Sequence, residues 1–391
     1  MASGAGSPER IARSTPLSAD DTHRVPKGKA WLAGSAGLTA VATLVGASAR
    51  KTIIERASLD DDPWADEDFE RLDSDRAQVV TTSDGVPLAV REAGPSDAPL
   101  TVVFAHGFCL RMGAFHFQRM ALGEALGAQV RMVFYDQRGH GQSGEGDPDS
   151  YTLTQLGRDL ETVLQVMVPR GPIILVGHSM GGMTVLSHAG QFPEQYGRRI
   201  VGAALISSAA EGVTRSPLGA FLKNPALDAV RFTAKSAPKL MHRGRNVSRS
   251  LIGPILRAAS YSDLQVSRSL DAFSQRMMNG TPIATLVGFL RALETHDETA
   301  GLWTLLKIPT LIACGDHDLL TPDEYSRLMS ASLPQSELVI VPGASHLALL
   351  DKPDTINDGL IRLVERAQPD KLTLRYRRFG ERLRRRLRRR G

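Results

Sequence analysis

Short apolar runs that recur along the chain constrain its fold more than any other feature. Thr101–Phe104, Val130–Phe134, Ile173–Val176, Val201–Ile206, Thr310–Cys314 and Glu337–Val341 are such runs, and each ends in polar or Gly-rich residues. Helical stretches lie between them. Unalternating runs of this kind suit strands buried on both faces, because the helices of a mostly parallel sheet cover both of its sides. Upstream, Val79–Thr82 and Leu88–Glu92 flank the turn Ser83-Asp84-Gly85 and read as a hairpin. The gap from about Glu211 to Leu306 is too long for one crossover, and its prolines and amphipathic stretches point to an inserted helical lid.

With 391 residues, 42% of them hydrophobic, the chain can fill a sizeable core in one large domain or two ordinary ones. Cys109 and Cys314 are its two cysteines, which excludes a disulfide scaffold and a Cys-rich zinc module. The net charge of +5 is unevenly placed. Residues 371–391 hold one Lys, ten Arg and one Glu, a net +10, which leaves the rest of the chain at −5. A mildly acidic body with a basic tail argues against a nucleic-acid-binding body.

The run Ile173–Val176 leads straight into Gly177-His178-Ser179-Met180-Gly181-Gly182, and a helix-compatible stretch, Met183 to Ala189, follows. A serine in G-x-S-x-G at a sharp strand-to-helix turn sits in strained backbone with its hydroxyl exposed, as a nucleophile requires. Gly177 and Gly181 leave room for the close approach of strand and helix. The helix start places the Met180 N–H where negative charge would develop. The motif alone also occurs in plain Gly-rich turns; its strand–turn–helix setting singles out Ser179.

A nucleophilic serine needs a base, and the base needs an orienting acid. On such a fold they follow in the order Ser, Asp or Glu, His. Gly315-Asp316-His317-Asp318 follows the run Thr310–Cys314, and Pro342-Gly343-Ala344-Ser345-His346 follows Glu337–Val341. Both loops lie past the C-terminal ends of parallel strands, where open α/β sheets place their ligand crevice. His346 is the expected base and Asp318 the expected acid, with Asp316 capping the turn. His317 reads as a loop residue, and His178 is expected to point away from the serine.

A second oxyanion donor is expected from Ala105-His106-Gly107-Phe108, through the Phe108 N–H, with His106 bracing the loop. Cys109 adjoins it without a base placed to activate its thiol. In Asp136-Gln137-Arg138-Gly139-His140-Gly141-Gln142-Ser143, Asp136 and Arg138 are expected to pair across the turn as scaffold. An acid role for Asp136 is the alternative.

From about 78 to 368 the chain resembles the α/β-hydrolase fold family. It is most similar to the lidded branch of serine esterases, lipases, monoacylglycerol-lipase-like enzymes and cofactor-free haloperoxidases. H-G-F at 106–108, D-x-R-G-x-G-x-S at 136–143, G-H-S-M-G-G at 177–182, G-D-x-D at 315–318 and G-x-x-H at 343–346 carry the resemblance. It implies an α/β fold: a mostly parallel eight-stranded sheet with helices on both faces and an inserted helical lid. It supports Asp318 as the acid, and it implies no metal or organic cofactor. Ser179 departs from the epoxide-hydrolase and haloalkane-dehalogenase pattern, which has Asp there, so those activities are not expected.

The expected function is hydrolysis of carboxylic esters, as a lipase or carboxylesterase, through Ser179, His346, Asp318 and an acyl-enzyme. Phe221, Leu222, Leu227, Phe232, Leu251, Ile252, Phe289 and Leu290 make the lid apolar, which suggests a hydrophobic acyl substrate, small-molecule or lipid. Packing of the lid's own core would account for each of them equally well. A thioesterase, a C–C hydrolase or a cofactor-free perhydrolase would use the same triad. A non-catalytic binding protein on this fold is the alternative from another class.

Around the core, expected at 78–210 and 307–368 with the lid at 211–306, lie four flanking pieces. They are a disordered segment 1–30, a hydrophobic anchor or signal segment 31–49, an acidic linker 50–77 and a basic amphipathic tail 369–391. Trp31–Ala49 carries no charge and is flanked by Arg24, Lys27 and Lys29 before it and by Arg50, Lys51 and Arg56 after it. It reads as a membrane anchor. Its end, Ala47-Ser48-Ala49, also fits cleavage of an export signal, and an Ala/Gly-rich soluble helix is the third possibility. In the tail, Leu372, Tyr376, Phe379, Leu383 and Leu387 form a helical stripe among arginines, which reads as binding to a membrane surface. Each basic residue at an anionic surface is worth about 1 kcal/mol. An inert tail and nucleic-acid binding are the rivals. Localisation at the cell membrane is therefore expected, with export or a cytoplasmic enzyme as alternatives.

Overall fold

A computed structural model describes residues 62–216, 261 and 267–367. The segments 1–30 and 31–49, the tail 369–391 and the lid residues Phe221, Leu222, Leu227, Phe232, Leu251 and Ile252 lie outside the described residues. Eight strands make one sheet: β1 Arg76–Thr81, β2 Pro87–Ala93, β3 Leu100–Ala105, β4 Val130–Tyr135, β5 Ile173–His178, β6 Ile200–Ile206, β7 Thr310–Gly315 and β8 Ser336–Val341. Their spatial order is β1-β2-β4-β3-β5-β6-β7-β8. β1 and β2 pair antiparallel, as do β2 and β4, and every later pairing is parallel.

The apolar runs become strands because the sheet is covered twice. β3, β5 and β7 are buried at every position. Alternate side chains serve opposite faces. Val102 and Phe104 join one core cluster with Leu122 and Leu126 of α1 (His116–Leu126) and Leu360 and Val364 of the last described helix, Pro353–Ala367. Val103 and Ala105 join the other, with Leu160 and Leu164 of α2 (Leu153–Met167) and Val185 of α3 (Met180–Gln191). α2 is apolar at three- and four-residue spacing and is capped by Thr152, whose hydroxyl accepts the Gln155 N–H at 3.1 Å. α3 is buried from Met180 to Ala189.

Between β6 and β7 the described residues include α4 (Arg268–Gly280), α5 (Ile283–Glu294) and α6 (Thr299–Thr304). α5 closes over the start of α3: Phe289 and Leu293 share a buried cluster with Tyr151, Met180 and Met183. Among the described residues, no helix is long and apolar enough to cross a membrane.

Two expectations need correcting. The acidic stretch ending at 77 was expected to be a linker, yet its described part is a strap packed on the body. Phe69 and Leu72 are buried, Phe69 stacks on Phe273 of α4 at 4.6 Å, and Trp64 meets Phe117 of α1 at 4.7 Å. Its carboxylates are partnered: Asp73 and Glu70 by Arg111, Asp75 by Arg119, and Glu67 by His116. Asp62 accepts from the Ser267 hydroxyl at 2.5 Å and the Ser269 N–H at 2.8 Å, which ties the start of α4 to the strap.

The second concerns Asp136 and Arg138, which do not pair. Each Asp136 oxygen takes a backbone N–H at 2.7 Å, from Met112 and from Gln142. Arg138, fully buried, instead forks onto Asp159 with two bonds of 2.6 Å and reaches Asp84 at 2.8 Å. A planar guanidinium matches a carboxylate bidentately, and that geometry is available at Asp159. Arg138→Met would leave the Asp159 charge buried without its cation. We expect a loss of about 3–5 kcal/mol in urea-unfolding stability; a loss below about 1 kcal/mol would mean the network is not structural.

Candidate active site

β5 ends at His178 and α3 begins at Met180, so Ser179 alone reverses the chain. Its φ of 53° and ψ of −120° form a conformation that costs on the order of 1–3 kcal/mol. The neighbouring strand holds it there. Ser179 N–H donates to the Ile206 carbonyl at 2.9 Å, and the Ser179 carbonyl accepts from the Ser208 hydroxyl at 2.9 Å. Space is the other requirement. A Cβ on Gly181 would overlap the Ala105 carbonyl, and one on Gly177 would overlap the Gly181 carbonyl.

Ser179 Oγ lies 2.9 Å from His346 Nε2, and His346 Nδ1 lies 2.9 and 3.1 Å from the two Asp318 oxygens. Asp318 Oδ1 also accepts the Leu320 and Thr321 N–H groups, each at 2.9 Å, and Oδ2 accepts the Thr321 hydroxyl at 2.8 Å. Burial works against its ionisation, but His346 and these donors outweigh it and hold the carboxyl below its ordinary pKa. A buried carboxylate thus faces the ring nitrogen opposite the serine. Residues from three strand ends, 167 and 28 positions apart, converge on one line.

Asp316 lies outside that line. Its Oδ1 accepts the Gly343 N–H at 2.8 Å and pairs with the exposed His317 ring at 2.8 Å, which ties two loops together. The Phe108 loop is beside the serine: a Cβ on Gly107 would stand 3.1 Å from Ser179 Cβ. Among the described residues, neither the Phe108 N–H nor the Met180 N–H donates to a protein acceptor. His106 braces this loop. Its Nδ1–H donates to the Gly107 carbonyl at 2.8 Å, and its Nε2 accepts the Gln137 N–H at 2.9 Å.

Sequence reasoning gave His178 no partner. Its Nε2–H donates to the His346 carbonyl at 2.9 Å, and burial lowers its pKa to about 3, so the ring stays neutral. Phe289 and Leu290, named as lid residues, are both buried, and Phe289 packs on Tyr151 and His140 at 5.0 and 5.5 Å. Cys109 is buried, which pushes its thiol pKa well up and leaves it a poor nucleophile.

A family model described as the alpha/beta hydrolase fold matches residues 101–353. The chain belongs to the α/β-hydrolase fold family. Among curated relatives of this α/β hydrolase is a bifunctional esterase/perhydrolase of Acinetobacter calcoaceticus, 28% identical over 73% of this chain and 98% of that protein. Another is a proline iminopeptidase of Pestalotiopsis fici, 23% identical over 70% of this chain and 94% of that protein. Among solved structures, a thermophilic esterase from Thermogutta terrifontis superposes with a TM-score of 0.60 at 22% identity, covering 75% of this chain and 99% of that one. That likeness speaks for the shared fold.

Proposed function

We propose that this α/β hydrolase cleaves carboxylic esters through Ser179, His346 and Asp318, with the Phe108 and Met180 N–H groups as oxyanion donors. The observation that supports this most is the 2.9 Å contact of Ser179 Oγ with His346 Nε2, continued to the buried, ionised Asp318. In this reading Ser179 Oγ attacks the ester carbonyl while His346 Nε2 takes its proton and passes it to the leaving alkoxide. Asp318 keeps the proton on Nδ1 in the ground state and stabilises the imidazolium. The two N–H groups bind the oxyanion, each worth about 3–4 kcal/mol to the transition state. Water then attacks the acyl-enzyme by the same route and frees the acid.

An apolar acyl group suits the partly exposed Phe108 ring, which packs on the buried cluster of Met180, Met183 and Phe289 next to Ser179. Each additional buried methylene is worth about 0.8 kcal/mol, roughly fourfold in kcat/KM. The test is fluorophosphonate labelling of the wild type, followed by a short-to-long acyl ester series beside a prolyl amide. Labelling and a rise in kcat/KM with acyl length are expected. No labelling of the folded protein, with and without detergent, or a preference for the prolyl amide would overturn the reading.

The esterase/perhydrolase relative favours one second reading. Hydrogen peroxide would attack the acyl-enzyme in place of water, releasing a peracid and free Ser179, and peroxide-dependent peracid formation tests it. Placement at a lipid surface through 31–49 and the basic tail remains part of our proposal on sequence grounds, and cosedimentation with anionic vesicles at low and high salt is its test.

A further inference from the structure

We propose that His140 is a positioning residue for the oxyanion loop: its Nε2 takes the Cys109 N–H and so aims the neighbouring Phe108 N–H at the substrate oxygen. The loop needs such a device. Gly107 to Leu110 is a tight turn, closed by the Leu110 N–H on the Gly107 carbonyl at 3.2 Å. Cys109, at its third position, has φ of 61°, a conformation in which a non-glycine residue is strained. Left alone, the two peptide planes at Phe108 would have reason to rotate.

Both planes are pinned from outside. The Gly107 carbonyl and the Phe108 N–H belong to one trans peptide unit and point in opposite directions. His106 Nδ1–H on that carbonyl, at 2.8 Å, therefore holds the unit from its Gly107 side, and its other side depends on the plane beyond Phe108. The next plane carries the Cys109 N–H, which donates to His140 Nε2 at 3.3 Å. His140 is itself fixed, since its Nδ1–H donates to the Arg138 carbonyl at 3.0 Å and leaves Nε2 as the acceptor. Burial lowers its pKa to about 4, so that acceptor persists at neutral pH.

The ring is held laterally as well. It lies 5.5 Å from the Phe289 ring of α5, 5.3 Å from His106 and 6.2 Å from Phe108. His140 thus acts on the reaction through the Cys109 peptide and touches no reacting atom.

The kinetic part of the test rests on the ester-hydrolase reading above, and an amide-exchange part does not. His140→Phe and His140→Leu keep bulk but remove the acceptor; His140→Gln returns an acceptor oxygen near the Nε2 position. Loss of a whole oxyanion donor costs about 100- to 1,000-fold in kcat, so a misaimed one is expected to cost about 30-fold. KM should change by less than about threefold, while affinity for a trifluoromethyl ketone, which mimics the oxyanion, falls by the same factor as kcat/KM. Amides of Cys109 and Leu110 should exchange at least about tenfold faster in the apolar variants. His140→Gln should recover kcat to within about fivefold of wild type.

Unchanged kcat and unchanged exchange in His140→Phe would overturn the proposal, as would His140→Gln performing no better than His140→Phe. Should neither apolar variant fold, His140→Gln decides alone, and a kcat below about a tenth of wild type overturns it. Absence of Ser179-dependent ester turnover in the wild type would instead sink the ester reading, and the exchange experiment would still judge His140.

Discussion

Ser179→Ala is expected to lower ester turnover by about a millionfold, the size of loss found where a triad serine is removed from a serine hydrolase. The fold should survive the change. Ala keeps the Cβ that already tolerates φ of 53°, and the bonds that hold the elbow run through backbone groups: Ser179 N–H to Ile206, and the Ser208 hydroxyl to the Ser179 carbonyl. Only the 2.9 Å contact to His346 Nε2 is lost. Melting temperature should therefore shift by less than about 3 °C. Covalent labelling by a fluorophosphonate should vanish, while some rate above water remains because the Phe108 and Met180 N–H groups are untouched. Turnover within tenfold of wild type would show that another group attacks the substrate.

Asp318→Asn is expected to cost about 10,000-fold in kcat with little change in KM. Every group around the Asp318 oxygens is a donor: His346 Nδ1, the Leu320 and Thr321 N–H groups and the Thr321 hydroxyl. A carboxylate satisfies all of them. An amide presents two donors of its own, and wherever its NH2 turns, one neighbour must reverse. The Leu320 and Thr321 N–H groups on Oδ1 cannot reverse, so the NH2 turns to the Oδ2 side, where the Thr321 hydroxyl can rotate to accept but His346 must change tautomer. Its Nδ1 would lose its proton to Nε2, and the base would then offer Ser179 a donor instead of a lone pair. Asp316→Asn changes a solvated carboxylate bonded to the Gly343 N–H and the exposed His317, so kcat should stay within about threefold. A large loss at 316 and a small one at 318, in parallel kinetic measurements, would reassign the acid.

How legible these features were depended on whether a residue's partner lay nearby in the chain. The central strands could be read almost to the residue, Ile173–Val176 against the observed Ile173–His178, because burial on both faces leaves an unbroken apolar run. β1 began three residues before its expected start, at Arg76, because an edge strand with one buried position out of six writes no such run. The loops bearing Ser179, Asp318 and His346 were legible because each follows a strand end in a fixed order. Arg138 was assigned to its neighbour Asp136, yet its partners Asp84 and Asp159 are 54 and 21 positions away. The bonds of His178 to the His346 carbonyl and of His140 to the Cys109 N–H involve backbone atoms, which have no signature in a string of side chains. The strap was misread because acidic composition resembles a solvated linker until Phe69 and Leu72 find their pocket.

That strap alters where the catalytic unit can be cut. The family match begins only at residue 101, and a fragment starting at β1 would look complete by its strands. Such a fragment would strip Phe69 from Phe273 and Trp64 from Phe117, and would deprive Arg111 and Arg119 of their carboxylates. It would also remove Asp62, which fastens α4 at Ser267 and Ser269. A fragment starting at Asp62 is therefore expected to melt higher than one starting at β1. An extension that looks dispensable by composition is in effect the buckle of α4, which is fastened to chain that precedes the sheet.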